Sequence, residues 1–123
     1  MKFWRKKAAD AQVEPAVRVL LVCMGNICRS PMAEGMLRQR VAERSFPLPV
    51  EIDSAGTHGY HDGSLPDPRA LAAAQRRGLD ISMLRARRVI AADFERFDLL
   101  VAMDDDNLTA LLEQAGDEHQ HKV

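Results

Sequence analysis

Two residues of this chain are suited by type and spacing to covalent chemistry: Cys23 and Arg29, separated by Met24-Gly25-Asn26-Ile27-Cys28. A thiolate is a strong nucleophile at neutral pH. A guanidinium offers a planar fork of donors that matches two oxygens of a phosphate. Gly25 and Asn26 tolerate the backbone angles a tight loop needs. Together they suggest attack of Cys23 on a phosphate ester, while Arg29 and the loop N–H groups hold the remaining oxygens. The same spacing also arises by chance, with the cysteine a buried structural residue and the arginine on the surface.

The flanking elements favour chemistry. Val19-Leu20-Leu21-Val22 is an unbroken apolar run, the pattern of a strand buried on both faces. Ser30-Pro31 reads as a helix start, with Ser30 as N-cap and Pro31 at the first helical position. Strand, loop and helix N-terminus make an anion cradle in which N–H groups and the helix dipole converge. A thiol placed there beside a guanidinium is favoured as thiolate.

Val22-Cys23-Met24-Gly25-Asn26-Ile27-Cys28-Arg29-Ser30-Pro31-Met32-Ala33-Glu34 resembles the signature of the low-molecular-weight protein tyrosine phosphatases. Three later stretches resemble the same family in the same order: Asp53-Ser54-Ala55-Gly56-Thr57, Pro66-Asp67-Pro68-Arg69 and the segment from Phe97 to Leu108. The resemblance implies a flavodoxin-like, doubly wound α/β sheet in three α/β/α layers, with the cradle strand in the middle. It implies that Cys23 becomes a phosphocysteine and that Arg29 binds phosphate and stabilises the transition state. Met24, Gly25, Asn26, Ile27, Cys28 and Ser30 line the phosphate. Asn26 and Ser30 hold the loop shape, Ser30 donates to the Cys23 sulfur, and Ser54 buttresses the loop. Cys28 resembles a second loop cysteine that can form a disulfide with the nucleophile and protect it. Members acting on phosphoarginine carry a smaller Thr at the position of Ile27, so Ile27 favours phosphotyrosine.

The rest of the chain reads as alternating strands and helices. Residues 31–44 form a helix through Ala33, Leu37 and Val41, with Glu34 suiting the dipole in its first turn and Arg38, Arg40 and Arg44 on a solvated face. Val50 to Asp53 is a short edge-type strand. The following loop, to Leu65, lies beyond the carboxyl end of a parallel strand, hence on the cradle side. There Tyr60 could wall a phenyl ring, with His61 and Asp62 setting polarity at the rim; His58 and His61 could equally be exposed loop histidines. Asp67-Pro68 opens a helix that Gly78 closes. Arg85, Arg87 and Arg88 read as a solvated rim. Residues 93–97 make one helical turn. Leu99 to Met103 is a second continuous apolar run, hence a central strand, with Asp104 at its carboxyl end supporting the loop. Asp105 or Asp106 then caps a helix that ends near Gly116; capping suits Asp104 to Asp106 better than a calcium loop does.

The 123 residues suffice for one domain, 17–123, preceded by a flexible tail over 1–16. The tail has a basic start but no apolar core of signal-peptide length; a weaker reading is a membrane-surface contact through Phe3 to Lys7. A net charge of −1 argues against a nucleic-acid partner. Both cysteines lie in one loop, which implies no disulfide framework and a reducing, cytoplasmic compartment. No apolar run is long enough to span a membrane, and no cofactor or metal motif stands out. The expected partners are phosphotyrosine proteins or small aryl phosphates.

The family pattern continues past Lys122-Val123 with another strand, an Asp-Pro-aromatic loop whose Asp is the general acid, and a final helix. Relative to that pattern the chain is C-terminally incomplete. Asp67-Pro68 matches the start of the second helix and is no substitute. General acid catalysis contributes about 10²–10⁴-fold, and a phenolate with a conjugate-acid pKa of about 10 leaves poorly without it. The expectation is a polypeptide that binds oxyanions but turns over phosphotyrosine slowly, and a last strand with unpaired backbone groups that invite association. Two alternatives remain. An arsenate reductase on this scaffold needs relay cysteines outside the loop, which the chain lacks. A non-catalytic phosphate-binding remnant would keep the cradle without turnover.

Overall fold

The computed structural model describes residues 17–45 and 47–123. The tail over 1–16, with its proposed flexibility and surface contact, lies outside them. Among the described residues three parallel strands form one sheet in the order β2-β1-β3. β1 is Val17–Cys23, β2 Val50–Gly56 and β3 Leu99–Ala102. β1 lies in the middle and pairs with β2 from Val17↔Val50 to Cys23↔Gly56, and with β3 from Val19↔Leu99 to Val22↔Ala102.

Position in the sheet explains why β1 carries no polar alternation. Successive side chains point to opposite faces, and both faces of β1 are covered. Leu20 and Val22 pack with Ala55, Leu100, Phe94, Phe97, Leu111 and Ala115. Val19 and Leu21 pack with Ile52 on the other face, against Ala33, Leu37 and Val41. The helices supplying these contacts are α1 (Arg29–Glu43) on one face, and α3 (Ala91–Arg96) with α4 (Asp105–His119) on the other. α2 (Pro68–Arg76) packs beside α1, where Ala70, Ala74 and Ile81 meet Met32. This is the three-layer, flavodoxin-like arrangement with the cradle strand central.

Several local expectations need correction. Ser30 is not the N-cap of α1: the helix begins at Arg29, Cys28 holds the cap position without a side-chain bond, and Ser30 is fully buried inside the first turn. Asp104, rather than Asp105 or Asp106, caps α4, its carboxylate accepting from the Asn107 N–H at 2.8 Å. Asp67 does cap α2, accepting from the Arg69 N–H at 2.8 Å. α4 runs on to His119, but its helical angles break at Gly116, where φ is 67°. β3, by contrast, is the expected edge strand with unpaired backbone groups, and not the central strand its apolar run alone implies: among the described residues it pairs only with β1. Leu99 is 47% exposed, while Leu100, next to it on β3 and pointing to the opposite face, is 1% exposed. No described helix is long and apolar enough to cross a membrane.

Candidate active site

β1 carries Cys23 to the carboxyl end of the sheet, and the chain turns through 24–28 into α1. The loop is held against the end of β2 by backbone bonds: Thr57 N–H donates to Cys23 O and His58 N–H to Met24 O, each at 2.9 Å. This close approach requires a glycine at position 56, where a Cβ would lie 2.6 Å from Met24 O. On the far side of the loop the Asp67 N–H donates to Ile27 O at 2.7 Å, tying it to the start of α2.

Inside the loop the polar groups converge on the sulfur. Cys23 is 3% exposed. Its Sγ accepts from the Asn26 N–H at 3.3 Å and lies 3.0 Å from Ser30 Oγ. Asn26 takes the left-handed backbone conformation, φ 59°, which asparagine tolerates better than most residues. Its side-chain Nδ2 donates to Ser30 Oγ at 2.7 Å and to Ser54 Oγ at 3.1 Å. Its Oδ1 accepts from the backbone N–H of Arg87 at 3.0 Å. Ser54, on β2, in turn donates to Glu34 Oε1 at 2.7 Å. Burying so many polar atoms is tolerable only because each has a partner.

Glu34 differs from its expected role. It does not sit exposed in the first turn to serve the helix dipole; it is 1% exposed. Arg38 donates to Glu34 Oε2 from Nε at 3.0 Å and Nη2 at 2.8 Å, and also to Ile52 O. Burial pushes the Glu34 carboxyl above its ordinary range, against the opposing pull of Ser54 and Arg38. Arg38 is thus a partner of a buried acid rather than one of a row of solvated arginines. Arg87 likewise leaves the expected basic rim: it bonds Asp53 and Asp93. Asp93 is only six residues on, but Asp53 and Asn26 are distant in sequence, so no local signal distinguishes Arg87 from Arg85 and Arg88.

Arg29 is half-exposed at the mouth of the loop, and its Nη1 donates to Asp104 Oδ2 at 2.9 Å. The Asn107 N–H first, and the Arg29 guanidinium second, hold the Asp104 carboxyl below the usual carboxylate range. Asp104 therefore stays ionised and pairs with Arg29. Met24 and Cys28 are exposed at the rim, and both cysteines are free thiols. Ile27 is half-buried and lies over Gly25 beside His61, whose ring edge would sit 2.9 Å from a Cβ at Gly25. Tyr60 stands 76% exposed, stacked on His58 with ring centroids 5.1 Å apart. The structure thus brings together Cys23, Asn26, Ser30, Ser54, Arg29 and Asp104 around one loop, with Tyr60 on the segment that follows β2. Buried Glu34 and half-buried Arg87 extend the group.

Residues 18–123 match the low molecular weight phosphotyrosine protein phosphatase family. The chain belongs to that family. It is 44% identical over 93 residues to the low molecular weight phosphotyrosine protein phosphatase of Schizosaccharomyces pombe, an alignment covering 75% of this chain and 59% of the relative. A crystal structure of the protein tyrosine phosphatase from Entamoeba histolytica superposes with a TM-score of 0.83 at 36% identity, covering 87% of this chain and 68% of that one. The structure of DARP, a Drosophila arginine phosphatase, superposes with a TM-score of 0.77 at 35% identity, covering 83% of this chain and 66% of that one. The chain therefore spans about 59% of the length of the fission-yeast relative.

Proposed function

We propose that this domain hydrolyses phosphotyrosine through a covalent phosphocysteine. The observation that carries the reading is the Cys23 sulfur, buried at the end of the central strand, with the Asn26 N–H donating to it and the Ser30 hydroxyl 3.0 Å away and free to do the same. Donors aimed at a sulfur favour its ionised form. The thiolate attacks phosphorus, the S–P bond forms, and the ester oxygen departs with its electron pair. Water then cleaves the S–P bond, releasing phosphate and restoring the thiolate. Arg29, oriented by Asp104, stabilises the oxygens in both steps. Tyr60, exposed on the loop after β2, offers an apolar wall for the substrate ring. Ile27 supports phosphotyrosine over phosphoarginine as substrate.

The departing oxygen needs a proton when the leaving group is a phenolate. Asp104, held ionised by Asn107 and Arg29, is not suited to give it. For the 123-residue polypeptide itself we infer activity that depends steeply on the leaving group. p-Nitrophenyl phosphate is turned over readily, and phosphotyrosine more slowly by about the 10²–10⁴-fold that general acid catalysis supplies. The test compares both esters, with phosphoarginine alongside, for this polypeptide and for Cys23→Ser. Hydrolysis of the activated ester that vanishes in Cys23→Ser supports the reading. No hydrolysis of any ester, with phosphate still bound, points to a non-catalytic phosphate binder. Faster turnover of phosphoarginine than of either aryl ester overturns the substrate assignment. Arsenite production from arsenate with thioredoxin would replace the reaction class altogether.

A further inference from the structure

Arg87 lies in the connector between α2 and α3, outside the strand–loop–helix unit that carries the nucleophile. Its backbone is fixed on both sides. Its carbonyl accepts from the Gly56 N–H at 2.8 Å, and the Val89 N–H donates to Gly56 O at 2.8 Å, so the connector runs alongside the end of β2. Its side chain reaches back under the sheet edge. Nη1 and Nη2 form a two-pronged contact with Asp93 at 3.0 and 3.1 Å, and Nη2 also donates to Asp53 at 3.1 Å. Asp93 is buried and accepts the Ile90 N–H at 2.8 Å, which anchors the start of α3.

What this clamp holds in place is one N–H group. The Arg87 N–H donates to Asn26 Oδ1. An asparagine amide can sit either way round, but an N–H facing one end requires the oxygen there. The Asn26 NH₂ is therefore turned to Ser30 Oγ and Ser54 Oγ, and both hydroxyls accept from it. Each serine has a single proton to place elsewhere. That of Ser54 goes to Glu34 Oε1. For that of Ser30 the acceptor within reach is Cys23 Sγ, 3.0 Å away. If the Asn26 amide flipped, its oxygen would face both hydroxyls. Ser30 could then turn its proton to Asn26 and accept from S–H, an arrangement that favours the neutral thiol.

We propose that Arg87 is a positioning residue: its clamp on Asp53 and Asp93 holds its N–H on Asn26, and through Asn26 commits Ser30 to donate to the Cys23 sulfur. The catalytic consequence rests on the phosphatase reading above, but the state of the sulfur can be read without turnover. The experiment measures the rate of Cys23 alkylation by iodoacetamide against pH, located by peptide mass so that Cys28 does not interfere. It is run on the full chain, on Arg87→Met, Arg87→Lys and Asp53→Asn, together with kcat and KM for p-nitrophenyl phosphate and thermal melting.

Folded Arg87→Met alkylates Cys23 about tenfold more slowly near pH 6, where thiolate fraction limits the rate, and at the native rate in alkali. Its kcat falls by a similar factor while KM changes little. Arg87→Lys, which keeps a charge on the acids, recovers part of the loss. A native alkylation profile in folded Arg87→Met, with only the melting temperature lowered, overturns the proposal. Should Arg87→Met fail to fold, Asp53→Asn decides: alkylation slowed about threefold near pH 6 supports the clamp, and a native profile refutes it. Shifted profiles in a protein that hydrolyses no ester would uphold the clamp and overturn the phosphatase reading.

Discussion

On one flank of the central strand, β1 pairs with β2 along its whole length, and the junction continues into a fully partnered polar cluster of Asn26, Ser30, Ser54, Glu34 and Arg87. On the other flank, β1 pairs with β3 over only Val19 to Val22. Beyond β3 lies an open groove of about 460 Å³ lined by Leu99, Val101, Met103, Leu108 and Val123. Cys23, the proposed nucleophile, belongs to the first flank. Arg29, which we propose binds the substrate oxygens, is tied to the second, through Asp104 at the end of β3. Changes on the β2 side should therefore disturb the state of the sulfur, and changes on the β3 side should disturb substrate binding or association.

The largest effect is expected at Asn26. Asn26→Ala strands the Arg87 N–H and removes a donor from both serines, and each buried polar group left unpaired costs about 1–3 kcal/mol. Denaturant unfolding should show a loss of about 3 kcal/mol, and kcat should fall with it. Equal stability and unchanged kcat would show that the cluster does not support the site.

Leu100→Ala, on β3 with its side chain in the core, should cost about 2–4 kcal/mol. Its folded fraction should keep the native kcat and KM, because Leu100 takes no part in the polar cluster. A kcat loss in the folded protein would mean that the two flanks are not independent.

Asp104→Asn comes next. Asparagine caps a helix about as well as aspartate, so α4 and the melting temperature should be nearly unchanged while the ion pair to Arg29 is lost. For p-nitrophenyl phosphate KM should rise and kcat should fall, each several-fold, because Arg29 acts on both bound substrate and transition state. The sign of the pH dependence follows from the depressed carboxyl. Its stabilising contacts are complete above the ordinary aspartate range and are lost as pH falls through the lower folded value. A carbon-13 titration of Asp104 should have its midpoint below that of a free aspartate and move part-way back in Arg29→Ala, since the Asn107 N–H remains. The smallest effect is expected at the exposed edge. Leu99→Lys should change stability by less than about 0.5 kcal/mol and reduce any concentration-dependent association seen by light scattering.

The same two flanks show what the sequence can disclose. The run Val19 to Val22, the loop and the helix after it are contiguous, so local pattern suffices to find them. Leu99 to Ala102 was equally legible as a strand, but its apolar character implies side chains covered on both faces, whereas Leu99 is exposed where β3 stands at the edge of the described sheet. Ser30 and Asp104 show the limit of capping rules. Ser30 has the right type for an N-cap, yet its hydroxyl is drawn to the sulfur seven residues earlier. Asp104 is one of three consecutive aspartates, and only backbone geometry selects it as the cap. Glu34, Arg38 and Arg87 were least legible. Charged residues on a helix or in a connector read as solvated until their partners are known, and Ser54, Ile52, Asp53 and Asn26 come from distant stretches of chain.

The central claim is that the loop from Cys23 to Arg29 binds an oxyanion against an ionised sulfur. It is tested most directly by alkylating Cys23 with iodoacetate in the presence of increasing inorganic phosphate at constant ionic strength. Phosphate should protect Cys23 in a saturable way, and Arg29→Ala should abolish the protection. Alkylation at the same rate with and without phosphate would contradict the claim.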